Sequence, residues 1–598
     1  MSKLWKFIKR SIQLALLVLV VFLVNLIWFR PFSINHFYDK IFLEFAWNSP
    51  ETLTSIGMGF KNDQLDDNSF AADEESLALL QKDYQQLLAY DREDLTGQTA
   101  LSYDILKFFL EDSLSGLKYK YHGYSVTQRG GSYQSVVNFM TSTHEIEDQG
   151  DAEDYLSRVS QIGNKFDNTL AYVKKEKEMG ILPPRFVITK IIENLHNLRD
   201  PAVNEHPLVV DFNKKVDALT EVESNEKDAL KAQMLDHMND VVLPAYDRYL
   251  ALFNELKTVA TDDAGVWKLP DGEAYYQSRI KAMTTTDYTA AELHAVGLSE
   301  VERIVGEMDG ILNEQGRTEG TVGERMLALN EDPEFLYPDT DAGREQILKD
   351  YETMINEIDA DMEKVFAVRP KAGVVVKRVP EYRQKTASGG SYSAPSPDGS
   401  RPGIFYANLY DIKATPKWGM KTLAYHEAVP GHHFQIAIKT ELEGLPMFRN
   451  FIGFTAYSEG WALYAERLAW EQGFQEEPFN NLGRLQAELL RAVRLVVDTG
   501  IHYKRWTREQ AIDYMASTTG MAMTDVESEI ERYIVWPGQA LAYKVGMLKI
   551  MELREKAETE LGDAYDIREF HDVVLKNGAV PMTILERLVD EYIAEKKA

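Results

Sequence analysis

The chain has 598 residues, 44% hydrophobic and 27% charged, a make-up that supplies ample material for a folded core. Its formal net charge of −29 leaves no basic stripe to neutralise phosphates and excludes nucleic acid as a partner. With no cysteine, disulfides, thiol nucleophiles, thiolate metal sites and a thioether-linked lipid are all excluded, so any metal must be held by nitrogen and oxygen.

Residues 1–10 form a basic tail carrying Lys3, Lys6, Lys9 and Arg10. Residues 11–29 follow, apolar apart from Ser11, Gln13 and Asn25, and long enough to span a hydrocarbon core of about 30 Å. Arg30-Pro31-Phe32 offers no small-x-small cleavage pattern, so a retained signal anchor is expected. The positive flank places the N-terminus in the cytoplasm, giving a single-pass protein of the cell membrane with its body on the periplasmic side. Residues 30–50 read as a tether, and the folded body spans 51–598.

From Glu74 to about Leu256 the pattern is helical, with Leu77, Leu80, Tyr84 and Leu88 stepping by three and four along one face. Breaks fall at Gly130-Gly131 and at Leu182-Pro183-Pro184. The turn-rich run Thr261-Asp262-Asp263-Ala264-Gly265 divides the body into a helical half, about 51–260, and a second half, about 266–598. Two β-branched or aromatic runs, Gly373–Val376 and Ile404–Leu409, read as strands, and Ser388–Gly403 between them as a Gly-, Ser- and Pro-rich mobile loop. A helix is expected from Thr415-Pro416 to Val429, another after Gly431 to Gly444, and a third opening near Glu459, with Trp461, Tyr464, Ala465 and Leu468 on one face. Thr507 and Gln510 form a capping box, and closing helices are expected beyond residue 550. The fold class is therefore mainly α, with a small β-sheet beside the helix that carries the motif described next.

That motif is His426-Glu427-Ala428-Val429-Pro430-Gly431-His432-His433, followed by Ser458-Glu459-Gly460-Trp461. Three of the chain's 12 histidines lie within these eight positions. Two imidazoles and one carboxylate can hold a divalent metal, and a spare carboxylate can accept the proton of a water. Position i+4 from His426 is Pro430, so the common H-E-x-x-H arrangement is excluded. In an unbroken helix His432 would point roughly 120° away from His426, and His433 would lie about 10 Å further along the axis. A break at Pro430-Gly431 would let either fold back. Candidate donors to a developing oxyanion are His502, Tyr533 and Tyr543.

The decapeptide His426-Glu427-Ala428-Val429-Pro430-Gly431-His432-His433-Phe434-Gln435 resembles the signature of the DUF885 family, relatives of helical zinc metallopeptidases. Leu269–Tyr276, Ser396–Gly403, Val497–His502 and Trp536–Gln539 resemble that family too. The resemblance implies a gluzincin-like helical fold over nearly everything after residue 50. It implies zinc (Zn2+) held by His426, Glu459 and His432, with His433 the alternative to His432, and Glu427 as general base. His502 and Tyr543 complete the expected catalytic set. The expected activity is a membrane-anchored zinc hydrolase, a peptidase acting on peptides outside the cytoplasm. A metallohydrolase of non-peptide amides or esters, and a metal-free binding or scaffold protein on a degenerate fold, are the alternatives.

Overall fold

In the computed structural model, residues 2–381, 384, 387–396 and 400–598 are described. The apolar N-terminal run is the interior of one helix, α1 (Ser2–Trp28), and its stretch Trp5–Leu26 is long and apolar enough to cross a membrane. None of that stretch is buried against the protein. The expected tether is instead a second helix, α2 (Ile34–Trp47), capped by Ser33 and burying Phe37, Tyr38, Phe42 and Ala46.

The chain divides into two units between Asp262 and Asp263, inside the turn-rich run; the first also takes in Pro446–Phe448. The first unit is helical, its core built around the long helix Gln149–Glu178 and the helix Leu243–Val259, where Phe166 meets the rings of Tyr246 and Tyr249. The expected helix near residue 77 spans Phe70–Leu88, but its buried face is rotated from the predicted one. Asp83 and Leu87 are inside, while Leu88 is exposed. Asp83 is held there by Lys40 of α2 at 3.2 Å, and burial, partly offset by that ammonium, pushes its carboxyl up to about 6.

The second unit is helical around a three-stranded sheet of order β1-β3-β2, with β1 (Val374–Arg378), β2 (Gly390–Ser393) and β3 (Gly403–Ala407). β1 runs parallel to β3, with Val375 opposite Ile404; β2 is antiparallel, with Tyr392 opposite Phe405. β1 and β3 match the two predicted runs. β2 corrects the mobile-loop expectation for Ser388–Gly403, because part of that segment is a paired strand; residues 397–399 lie outside the described residues. β3 is thus central, with both edges occupied, and its Phe405 is fully buried.

Among the helices that follow are α3 (Lys417–Glu427), α4 (His432–Glu441), α5 (Thr455–Glu471), α6 (Pro478–His502) and α7 (Leu541–Leu561). α3 packs on α6 and on α5, and α5 packs along α7. The Thr507–Gln510 capping box opens the helix Arg508–Thr519 as expected. Ile567–Leu575 and Met582–Lys597 are the closing helices.

Candidate metal centre

α3 ends at Glu427, two residues before the predicted limit, and Pro430 and Gly431 intervene before α4 begins at His432. The break folds back so tightly that a Cβ on Gly431 would come within 2.0 Å of the His426 carbonyl oxygen and 2.3 Å of that of Tyr425. Only glycine fits there. The fold-back brings the His426 and His432 rings edge to face with centroids 4.8 Å apart. Trp461 fixes the turn from the other side by donating its indole N–H to the Pro430 carbonyl at 3.0 Å. Two residues earlier on the same helix, Glu459 points its Oε2 at His426 Nε2 (3.6 Å) and His432 Nε2 (3.5 Å).

One ligand atom from each of His426, His432 and Glu459 lies within 4.8 Å of the others. A tetrahedral ion with bonds of about 2.0–2.2 Å needs ligand atoms roughly 3.3–3.6 Å apart, so the two nitrogen-to-oxygen spacings fit a zinc-sized ion. The donor set, two imidazoles and a carboxylate, fits its chemistry. Behind the trio, Glu466 accepts the Nδ1–H of His426 at 2.7 Å, which fixes the tautomer and leaves Nε2 turned toward Glu459. Without a metal, burial opposes charge on His426, but Glu459, Glu466 and Glu427 outweigh it and raise its pKa to about 10. Burial likewise opposes charge on Glu459, and the two histidines outweigh it, holding the carboxyl well below the usual range. An ion would take the place of that proton.

Glu427, the other acid of the motif, lies outside the ligand trio and is buried. Among the described residues its carboxylate forms no hydrogen bond. Its side chain lies beside β2: a Cβ on Gly390 would sit 3.3 Å from Glu427 Cγ.

The other candidates are placed as follows. His433 is buried at the sheet, its Nδ1 accepting from the Tyr392 hydroxyl at 2.9 Å, and burial pushes its pKa down to about 4. Among the described residues it joins no group that could hold a metal, and His432 is the histidine that lies with His426 and Glu459. His502 is a correction. Its Nδ1 accepts from the Val266 N–H at 3.1 Å and its Nε2–H donates to the Tyr533 carbonyl at 3.0 Å, so no N–H is left for a substrate oxygen. Burial lowers its pKa to about 4, which keeps this neutral arrangement. The Tyr533 hydroxyl is engaged with Arg494 and Glu529. Tyr543, half-buried on α7, has its ring under the Arg494 guanidinium at 4.6 Å. It lies one turn before Gly546, whose backbone abuts that of Gly460, the neighbour of Glu459. Glu466 escaped the sequence reading, although it sits seven residues after Glu459 and so on the same helix face.

A sequence family described as bacterial protein of unknown function (DUF885) matches residues 50–589. The structure resembles that of "the putative lipoprotein from Colwellia psychrerythraea" at 38% identity and a TM-score of 0.87, covering 94% of this chain and 98% of the other. It also resembles "a putative lipoprotein of unknown function from Shewanella oneidensis" at 19% identity and a TM-score of 0.75, covering 93% and 99% of the two chains; that likeness speaks for the fold alone. A comparison with the curated proteins finds no match.

Proposed function

We propose that this chain, which belongs to the DUF885 family of bacterial proteins of unknown function, is a membrane-anchored, zinc-dependent peptidase. The observation that carries the reading is the convergence of His426, His432 and Glu459, with Glu427 beside but outside them. A divalent ion held by the three would polarise a carbonyl and lower the pKa of a water. Glu427 takes the proton of the attacking water and passes it to the leaving amine. Tyr543 donates its hydroxyl to the carbonyl oxygen as charge develops there. An extended peptide adds to the outer edge of β2, whose one strand partner among the described residues is β3 and which runs past Glu427 at Gly390.

The full chain in detergent, supplied with equimolar zinc and a mixed peptide library, should give cleavage products by mass spectrometry. A chelator should stop cleavage and added zinc restore it. Zinc-dependent hydrolysis of small esters or amides with no peptide cut would overturn the peptidase reading in favour of the wider metallohydrolase class.

The basic flank before α1 supports a body outside the cytoplasm. Without a cysteine the chain lacks the sulfur that carries a lipoprotein's lipid, so α1 itself is the anchor. A reporter active only outside the cytoplasm, fused after Ala598, should be active in the membrane fraction; activity from a soluble, shortened form would mean that α1 is cleaved off.

A further inference from the structure

We propose that the outward face of α2, with Phe60 beside it, docks on the outer leaflet of the bilayer, so that the first unit rests on the membrane surface. The inference rests on the reading of α1 as a membrane span. Residues 32, 36, 39, 43 and 47 step by three and four and so share one side of α2 and its entry. On that side Phe32 is 73% exposed, Leu43 56% and Trp47 54%, and Phe60 alongside is 61% exposed. Single exposed apolar residues are ordinary, but several on one side of a helix beside a span, here with His36 and Asp39 among them, mark an interfacial contact. On the other sides of the same helix Phe37, Tyr38 and Phe42 are committed to the core, while Phe45 is 52% exposed.

The direction of the face follows from α1. His36, on the row, meets Phe22 of α1 edge-on with ring centroids 5.2 Å apart, and Phe22 lies inside the apolar stretch Trp5–Leu26. The row therefore looks toward the side along which the span runs. The joint between the two helices is also fixed. Asn25 donates its amide to the Arg30 carbonyl at 2.8 Å and accepts the Phe32 N–H at 3.0 Å. Tyr90, in the body of the first unit, donates to the Pro31 carbonyl at 2.5 Å and lies under the Arg30 guanidinium at 4.8 Å.

The chemistry of the row suits the headgroup layer. Trp47 packs against Phe60 with centroids 6.4 Å apart and carries the Lys61 ammonium 4.4 Å above its ring, an apolar body with a cationic rim. Asp39, exposed between His36 and Leu43, keeps α2 at interfacial depth and out of the hydrocarbon.

The absence of cysteine makes the test clean, because one introduced thiol is a unique labelling site. The full chain is reconstituted in phospholipid vesicles with a spin label at Leu43→Cys, Trp47→Cys or Phe60→Cys. Leu17→Cys in α1 and Glu178→Cys on an exposed helix end serve as lipid and water references. Collision with oxygen, which partitions into lipid, is compared with collision with a water-soluble nickel chelate. The three test labels should fall between the two references, with more oxygen and less nickel collision than Glu178→Cys and the reverse relative to Leu17→Cys. Test labels as nickel-accessible as Glu178→Cys, beside a lipid-embedded Leu17→Cys label, would overturn the docking while leaving the span intact. A nickel-accessible Leu17→Cys label would overturn the span reading itself. Spin–spin broadening at Leu43→Cys that disappears on dilution with unlabelled chain would assign the face to a second copy and overturn the proposal.

Discussion

Glu427→Gln should leave zinc bound and the fold intact while lowering peptide hydrolysis by at least about 100-fold, the low end of what a positioned general base contributes. That loss corresponds to about 2.7 kcal/mol of transition-state stabilisation. The carboxamide has the size of the carboxylate it replaces, and Glu427 belongs neither to the ligand trio nor to a hydrogen-bonded network among the described residues. What disappears is the capacity to accept a proton. Metal analysis should give the same zinc content for both proteins, and peptide binding to the β2 edge should persist. Near-normal turnover by Glu427→Gln on a confirmed substrate would sink the proposed mechanism, whatever the metal analysis says.

Glu459→Ala should strip the ion altogether, because only two imidazoles would remain where a catalytic site needs three protein ligands. His426→Ala should do the same. Glu466→Gln provides the contrast: it touches His426 but is not a ligand, so zinc should still bind, about 10–100-fold more weakly, as outer hydrogen-bond partners of ligating histidines generally affect affinity. Equilibrium dialysis against zinc reads all three. Full zinc content in Glu459→Ala would place the third ligand elsewhere. Glu441 is a poor substitute, since its carboxylate already accepts the backbone N–H groups of Lys371 and Ala372 at 2.9 Å.

The trio that could hold a metal was legible because its residue types are scarce and their chemistry is narrow. Helical arithmetic showed that the motif needed a break, and Pro430-Gly431 was the visible place for one. Between His432 and His433 arithmetic could not decide, because the answer lies in the backbone path of the break and in Tyr392, which engages His433 from a strand that sequence did not reveal. β2 was missed for a physical reason: Gly390-Ser391-Tyr392-Ser393 has little strand propensity and is held by pairing with β3. His502 misled because a histidine near a matching motif looks the same in sequence whether or not its nitrogens are engaged. Here both are taken by distant backbone groups, of Val266 and Tyr533. α2 was missed, residues 30–50 reading as a tether, although Ile34, Phe37, Tyr38 and Phe42 are spaced for a helix face. The buried Asp83 was missed as well, because only its encounter with Lys40 makes that position tolerable.

The indole bond from Trp461 to Pro430 ties the helix that offers the acidic ligand to the turn that separates the two histidine ligands. The three residues that could hold an ion are thus tied together by hydrogen bonds and close backbone contact within the chain itself. An ion that enters such a socket orders little on arrival, so its release subtracts a binding contribution from stability and leaves the architecture standing. A site of this kind would stand opposite to the small zinc modules, in which the ion is itself the core.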